Sequence, residues 1–355
     1  MAILVVAAMT VVASAAPQEE GYVEEIEVEE VLLDVVVTDP SGQVVLGLDE
    51  DDFIVRDEGE RVDLREATFY SNRRYLGSAQ QAQELGIAVD AVPSNRYFIL
   101  FFHHQHDLLP RLSANLLDAG RRAKQWVASL QPNDYVAVVS YNPKYNLQDF
   151  SNDPAVITAA IDRAVQRKDF QAQPAATGSD LPSMAAALPP GDVDRIYEAL
   201  AMTAEGAGAI RGRKNLILFS IGFGEVTGFG FFRPDIRYYP KTMQTINDNN
   251  VAVYPVDLMA ADLSPFFMIN AMDNVLNQLA TESGGRLYTT FNNYLTPLEK
   301  IASDNNGYYL LSYELPADAE DGEYRQVSVE MASGRLDART RDGYVAGSGY
   351  PYGAR

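Results

Sequence analysis

Three histidines, a glutamine and an aspartate stand in one unbroken run, His103, His104, Gln105, His106 and Asp107, and the chain has no other histidine. On extended backbone His104 and His106 project to the same side with Cα atoms about 6–7 Å apart. Imidazole pairs at that spacing suit zinc, nickel or copper better than magnesium, and Asp107, Asp194 or Asp257 would complete three ligands. Against a metal-dependent enzyme or a transition-metal binder stands the plainer alternative, that these are surface-loop histidines bonded locally and binding nothing. Serine nucleophiles find no partner, because the histidines are clustered and no GxSxG elbow exists.

The element that must position this run precedes it directly. Residues 96–107 read RYFILFFHHQHD, an apolar, aromatic stretch running into polar groups, which predicts a central strand of a parallel sheet. In open α/β sheets ligands bind beyond the carboxyl ends of the strands, so the histidines fall where a site belongs. From residue 96 onward strand-like and helix-like runs alternate. Strands are expected at 97–102, 135–141, 215–220, 251–256 and 286–288, with a short segment at 145–150. Helices are expected at 111–130, 154–167, 193–207, 235–249, 270–283 and 294–304. This alternation predicts an α/β fold with a doubly wound, mostly parallel sheet over 95–305.

Both ends of the chain read differently. Strand-like runs at 31–37, 43–46, 53–56 and 62–70 are separated by turn residues such as Asp39-Pro40-Ser41-Gly42. They are too few to stand alone. Runs at 308–315, 324–331 and 336–340 would supply their partners, which predicts a discontinuous, small antiparallel β-sandwich of Ig-like type from 22–75 and 307–346, with the α/β domain inserted in it. Residues 71–95 read as a linker, and 347–355 as a flexible tail.

Of the 355 residues 47% are apolar and 22% charged, enough for two real cores. A net charge of −21 without a basic stripe excludes a nucleic-acid partner. Residues 1–15 have the short apolar core and Ala13-Ser14-Ala15 ending of an export signal, too short to span a bilayer. The expected location is the periplasm, cell surface or exterior, with no membrane-spanning segment. No cysteine is present, which excludes disulfides and thiolate metal sites.

Several stretches carry a resemblance: LDVVVTDPSGQVVLGLDEDDFIVRDEGE at 33–60, PNDYVAVVSYN at 132–142, RIYEAL at 195–200, GRKNLILFSIG at 212–222, NNVAVYPVD at 249–257, LATESGGRLY at 279–288 and GYYLLSYELP at 307–316. In order and spacing the α/β region resembles a von Willebrand factor type A domain, and the whole chain is similar to the von Willebrand A-related proteins of acidobacteria. The resemblance implies a metal-ion-dependent adhesion site. There an Asp-x-Ser-x-Ser loop, a second-loop Thr and a third-loop Asp hold Mg²⁺ with one position open to a partner's acidic residue. In this chain those positions fall at His103, Gln105 and Asp107, near Asp194, and at Ile221. Without the first and third carboxylates the charge that offsets dehydration of Mg²⁺ is missing. The resemblance therefore implies a degenerate site, no cofactor, and a non-enzymatic module that binds a protein partner through the carboxyl edge of its sheet.

That edge has two further features. Gly222, Gly224, Gly228 and Gly230 follow a strand as phosphate loops do, yet lack the Walker and GxGxxG spacings; a nucleotide or small-molecule binder is the third alternative. Phe229, Phe231, Phe232, Phe266 and Phe267 crowd the same edge, either capping the core or forming a recognition patch in which Phe231 and Phe232 are the anchors.

Overall fold

A run of valines and leucines broken only by Asp34 forms the first strand, β1 (Glu30–Thr38), in a computed structural model that describes residues 29–71, 95–105, 110–166, 183–188, 193–210, 212–226, 232–258, 274–290 and 293–347. The expected export signal, nearly all of the 71–95 linker, and the tail beyond residue 347 lie outside the described residues. After β1 come β2 (Phe53–Asp57), β3 (Glu60–Val62) and β4 (Leu64–Ser71). The expected strand over 62–70 is thus divided at Asp63.

The α/β section follows: β5 (Arg96–His103), α1 (Pro110–Val127), β6 (Asp134–Tyr141), β7 (Tyr145–Ser151), α2 (Pro154–Val165), α3 (Met184–Ala187) and α4 (Ile196–Gly208). Then come β8 (Lys214–Ser220), β9 (Glu225–Val226), β10 (Phe232–Arg233), α5 (Tyr239–Asp248), β11 (Val251–Asp257), α6 (Val275–Glu282), β12 (Tyr288–Thr289) and α7 (Leu295–Asp304). The chain closes with β13 (Gly307–Glu314), β14 (Tyr324–Met331), β15 (Asp337–Arg339) and β16 (Gly343–Val345).

Six strands form one sheet in the order β12-β11-β8-β5-β6-β7, parallel except for β7. Read from β7 this is 3-2-1-4-5-6, the doubly wound order whose switch point lies between the first and fourth strands, here β5 and β8. Every residue of β5 and β8 is buried, because helices cover both faces. Tyr97, Ile99 and Phe101 pack with α4, α5 and α6, while Phe98, Leu100 and Phe102 pack with α1, α2 and α7, as the two-residue period of a strand requires. At the amino end Arg96 grips Asp134 with Nε and Nη2 at 2.7 Å each and reaches Ala302 O with Nη1.

Two four-stranded sheets, β15-β1-β13-β4 and β16-β14-β2-β3, each combine strands from both ends of the chain. Their apolar residues, among them Leu33, Val35, Phe53, Phe69, Leu311 and Val327, form one shared core. Inside it Asp57 accepts from Arg325 Nε at 2.7 Å, Tyr313 Oη at 2.7 Å and Tyr344 Oη at 2.5 Å. Among the described residues no helix is long and apolar enough to cross a membrane.

Candidate functional site at the carboxyl edge of the sheet

The switch point is closed by the chain's own side chains. His103 ends β5 and Ser220 ends β8; these strands pair directly, which places His103 Nδ1 2.9 Å from Ser220 Oγ. The expectation that no serine has a histidine partner is corrected here, because sheet order joins residues 117 apart in sequence. Ser220 Oγ also accepts from Gly222 N–H at 3.1 Å, and its side chain has no exposed surface. The ring of His103 lies edge-on to Phe223, 5.8 Å between centroids, and tilted against Tyr141 at 6.0 Å. Burial first, and the neighbouring His104 second, hold its pKa down at about 3, so the imidazole is neutral at physiological pH.

His104 points to the opposite face, as the next residue on an extended chain must. Its Nε2 lies 2.7 Å from Ala164 O on α2; a carbonyl only accepts, so Nε2 carries the proton. Both histidines are buried, and the surface-loop description of them is corrected for these two. His106 and Asp107 lie outside the described residues, so the His104–His106 pair does as well.

Gln105 then stitches the two loops together. Its Nε2 donates to Gly222 O at 2.6 Å and its Oε1 accepts from Ile221 N–H at 3.4 Å. Ile221 turns its side chain into the core beside Phe102, Phe219 and Leu258. Asp194 is exposed in the segment before α4, its N–H donating to Glu198 at 3.3 Å, and this segment is tied to β6 by Tyr141 Oη donating to Val193 O at 3.2 Å. Burial, then Glu198 and Asp194, push the Tyr141 phenol up to about 12. The fold places His103, Gln105, Asp194 and Ile221 at one edge. Of these four only Asp194 is a carboxylate; an imidazole held by a serine, an amide spent on two backbone groups and an isoleucine in the core are poor company for a hard cation, which needs several oxygen ligands. Asp257, at the end of β11, is buried. Among the described residues no group of three His, Asp or Glu side chains is arranged to hold a metal ion.

The glycines of the next loop serve close approach. Gly222 at φ +101° would bring a Cβ to 2.9 Å from Phe232 Cδ2, and Gly224 at φ +108° would bring one to 2.1 Å from Arg233 O. The loop is thus pressed under the β9–β10 ribbon, in which Phe232 pairs with Val226. Phe232 is half-buried and packs against the cores on both sheet faces. Phe231, Gly228, Gly230, Phe229, Phe266 and Phe267 lie outside the described residues.

The apolar groups that this edge offers to solvent are different ones. Val226 is 65% and Ile236 82% exposed, the two most exposed large hydrophobic side chains among the described residues. Tyr238, two residues after Ile236, carries two guanidiniums over its ring, Arg195 Cζ at 4.7 Å and Arg237 Cζ at 5.3 Å from the centroid. Arg237 chelates Asp235 through Nε at 2.9 Å and Nη2 at 2.6 Å. Sequence reasoning missed Val226, Ile236 and Ser220. The available signal for Ile236 was an isoleucine set between Asp235 and Arg237 in a turn.

No family model matches the chain, and no curated protein matches it. Among solved structures, a von Willebrand factor type A protein from Catenulispora acidiphila is 10% identical, with a TM-score of 0.39 over 88% of this chain and 74% of that one. The ArnB paralog VWA2 from Sulfolobus acidocaldarius is 10% identical, with a TM-score of 0.34 over 87% and 75%. An aerotolerance-related membrane protein from Bacteroides fragilis is 12% identical, with a TM-score of 0.39 over 59% of this chain and 98% of that one. At such scores the likeness adds nothing to what strand order and register already establish.

Proposed function

We propose that the protein is an exported, non-enzymatic interaction module of von Willebrand A type, in which the metal-dependent adhesion site has been replaced by a fixed hydrogen-bonded edge. The observation that carries this is the Gln105 bridge. The amide that stands at a metal-ligand position joins the loops after β5 and β8 directly, a task otherwise left to a bound cation. A neutral, buried His103–Ser220 pair, in which the serine has no exposed surface, supports reading it as a positioning contact. The surface for a protein partner is the ribbon and turn above this closure, with Val226 and Ile236 as exposed anchors and Arg195, Arg237 and Tyr238 as a polar rim, a layout that interface cores share. The α/β section carries the surface, and the two antiparallel sheets hold its opposite end.

The test compares wild type with Val226→Glu/Ile236→Glu, each immobilised as the full chain and exposed to extracts of the native host with and without EDTA. A partner retained by wild type in EDTA and lost by the double variant is the expected result. Retention by the variant removes this ribbon from the surface, and loss in EDTA restores a metal-dependent reading, for which His104 and His106 with zinc or nickel would be the first candidates.

A further inference from the structure

The amino end of the parallel sheet, opposite the closed edge, meets the antiparallel sheets across a buried polar seam. A main-chain bond crosses it, Asp342 N–H donating to Glu282 O at 2.9 Å, and the Arg341 side chain reaches across to Asn247 O with Nη1 at 2.8 Å while its Nη2 holds Leu32 O of β1 at 3.0 Å. Asn247 Nδ2 adds bonds to Asp342 Oδ1 and Tyr324 Oη, both at 2.9 Å. In the middle sits Lys214, the first residue of β8, with no exposed surface and its Nζ donating to Ile210 O at 2.9 Å. Asp34 of β1 is buried opposite, bonded at Oδ2 by Asn250 Nδ2 and lacking a hydrogen-bond partner at Oδ1.

The charges facing these two groups come from every element packed there. Lys214 faces Asp34 on β1 and Arg341 ahead of β16. Asp34 faces Arg213, Lys214 and Arg341, with Asn250 ahead of β11 and Tyr70 of β4 alongside. An ammonium enclosed in this way loses its hydration and keeps a carbonyl acceptor beside a guanidinium, a poor exchange for water.

We infer that this seam is a proton-operated latch, closed while Lys214 is a neutral amine and loosened when the amine takes up a proton and must reach water. Burial foremost, and Arg341 in addition, hold the lysine at about 7 in the closed seam, with Asp34 opposing. In an opened seam it would return to about 10.4. The sign follows: between these values the open state binds the extra proton, so closure strengthens about tenfold per pH unit on going up from about 7 toward 10, and the dependence vanishes below about 7. Burial raises the Asp34 carboxyl, which acts in the opposite sense, favouring closure at pH below its raised value, and Asp34→Asn separates that contribution.

The Asp342 amide, whose bond crosses the seam, is the reporter. Its hydrogen-exchange protection factor, measured on the full chain and corrected for intrinsic rate, should rise about tenfold per unit between about pH 7 and about pH 9. In Lys214→Met that rise should be lost. A flat profile in wild type, or an unchanged slope in Lys214→Met, overturns the latch. Should that variant fail to fold, NMR titration of the lysine Cε signals in wild type decides alone. One lysine with a midpoint near 7 is the expected result, and midpoints all near 10.4 contradict the inference.

Discussion

Gln105 Nε2 donates to Gly222 O over 2.6 Å, joining the ends of two strands that are neighbours in the sheet and more than a hundred residues apart in the chain. Removing that amide by Gln105→Leu leaves Gly222 O and Ile221 N–H without it. A buried group deprived of its partner costs about 1–3 kcal/mol, so urea unfolding should show a loss of that size. Gln105→Glu should be worse than Gln105→Leu in the same assay, because a carboxylate has no donor for the carbonyl.

His103 should stay neutral across the range in which a free histidine titrates. Its folded pKa, held at about 3 chiefly by burial, lies below an unfolded value near 6.5. The unfolded chain therefore binds the extra proton between these values, and stability falls as pH falls from about 6.5 toward 3. The ring signals of His103 should not move between about pH 8 and about pH 5, whereas a midpoint near 6.5 would mean that the ring reaches water.

The β-sheet core should depend on Arg325. Its guanidinium and the Asp57 carboxylate are almost wholly enclosed, 4% and 0% exposed, and Tyr313 and Tyr344 donate to the same carboxylate. Arg325→Met keeps the volume and strands Asp57. Removing one partner of a buried pair costs about 3–5 kcal/mol, to be read from the denaturant midpoint at unchanged slope.

Deleting residues 307–355 should unfold the amino-terminal strands too. β13 lies between β1 and β4, pairing antiparallel with both, so its loss leaves β1 and β4 without a common neighbour. An isolated 18–75 fragment should give undispersed amide signals in NMR, and a dispersed spectrum would contradict the shared core.

The α/β section was legible because its strands are continuous apolar runs and its helices repeat at 3.6 residues; the expected strands at 135–141 and 215–220 appear as Asp134–Tyr141 and Lys214–Ser220. The helix expected over 235–249 begins only at Tyr239, because Asp235 and Arg237 are drawn into their own turn. β16 was missed, since Gly343–Val345 is too short to show alternation. Counting along the resemblance names positions for the candidate site, but not the contacts that fill it. The His103–Ser220 pair depends on β5 lying beside β8, and the Asp57–Arg325 pair on strands from opposite ends meeting in one core. The Asp34–Lys214 seam depends likewise on how the sheets meet, which no local spacing reveals.

The central claim, that the chain's own side chains close the edge where a cation would sit, is tested most directly by calorimetric titration of the metal-free full-length protein with Mg²⁺. The expected result is no saturable heat at sub-millimolar concentration, since His103, Gln105 and Ile221 offer an imidazole bonded to Ser220, an amide bonded to Gly222 and a side chain in the core. A one-to-one site of micromolar strength would contradict it.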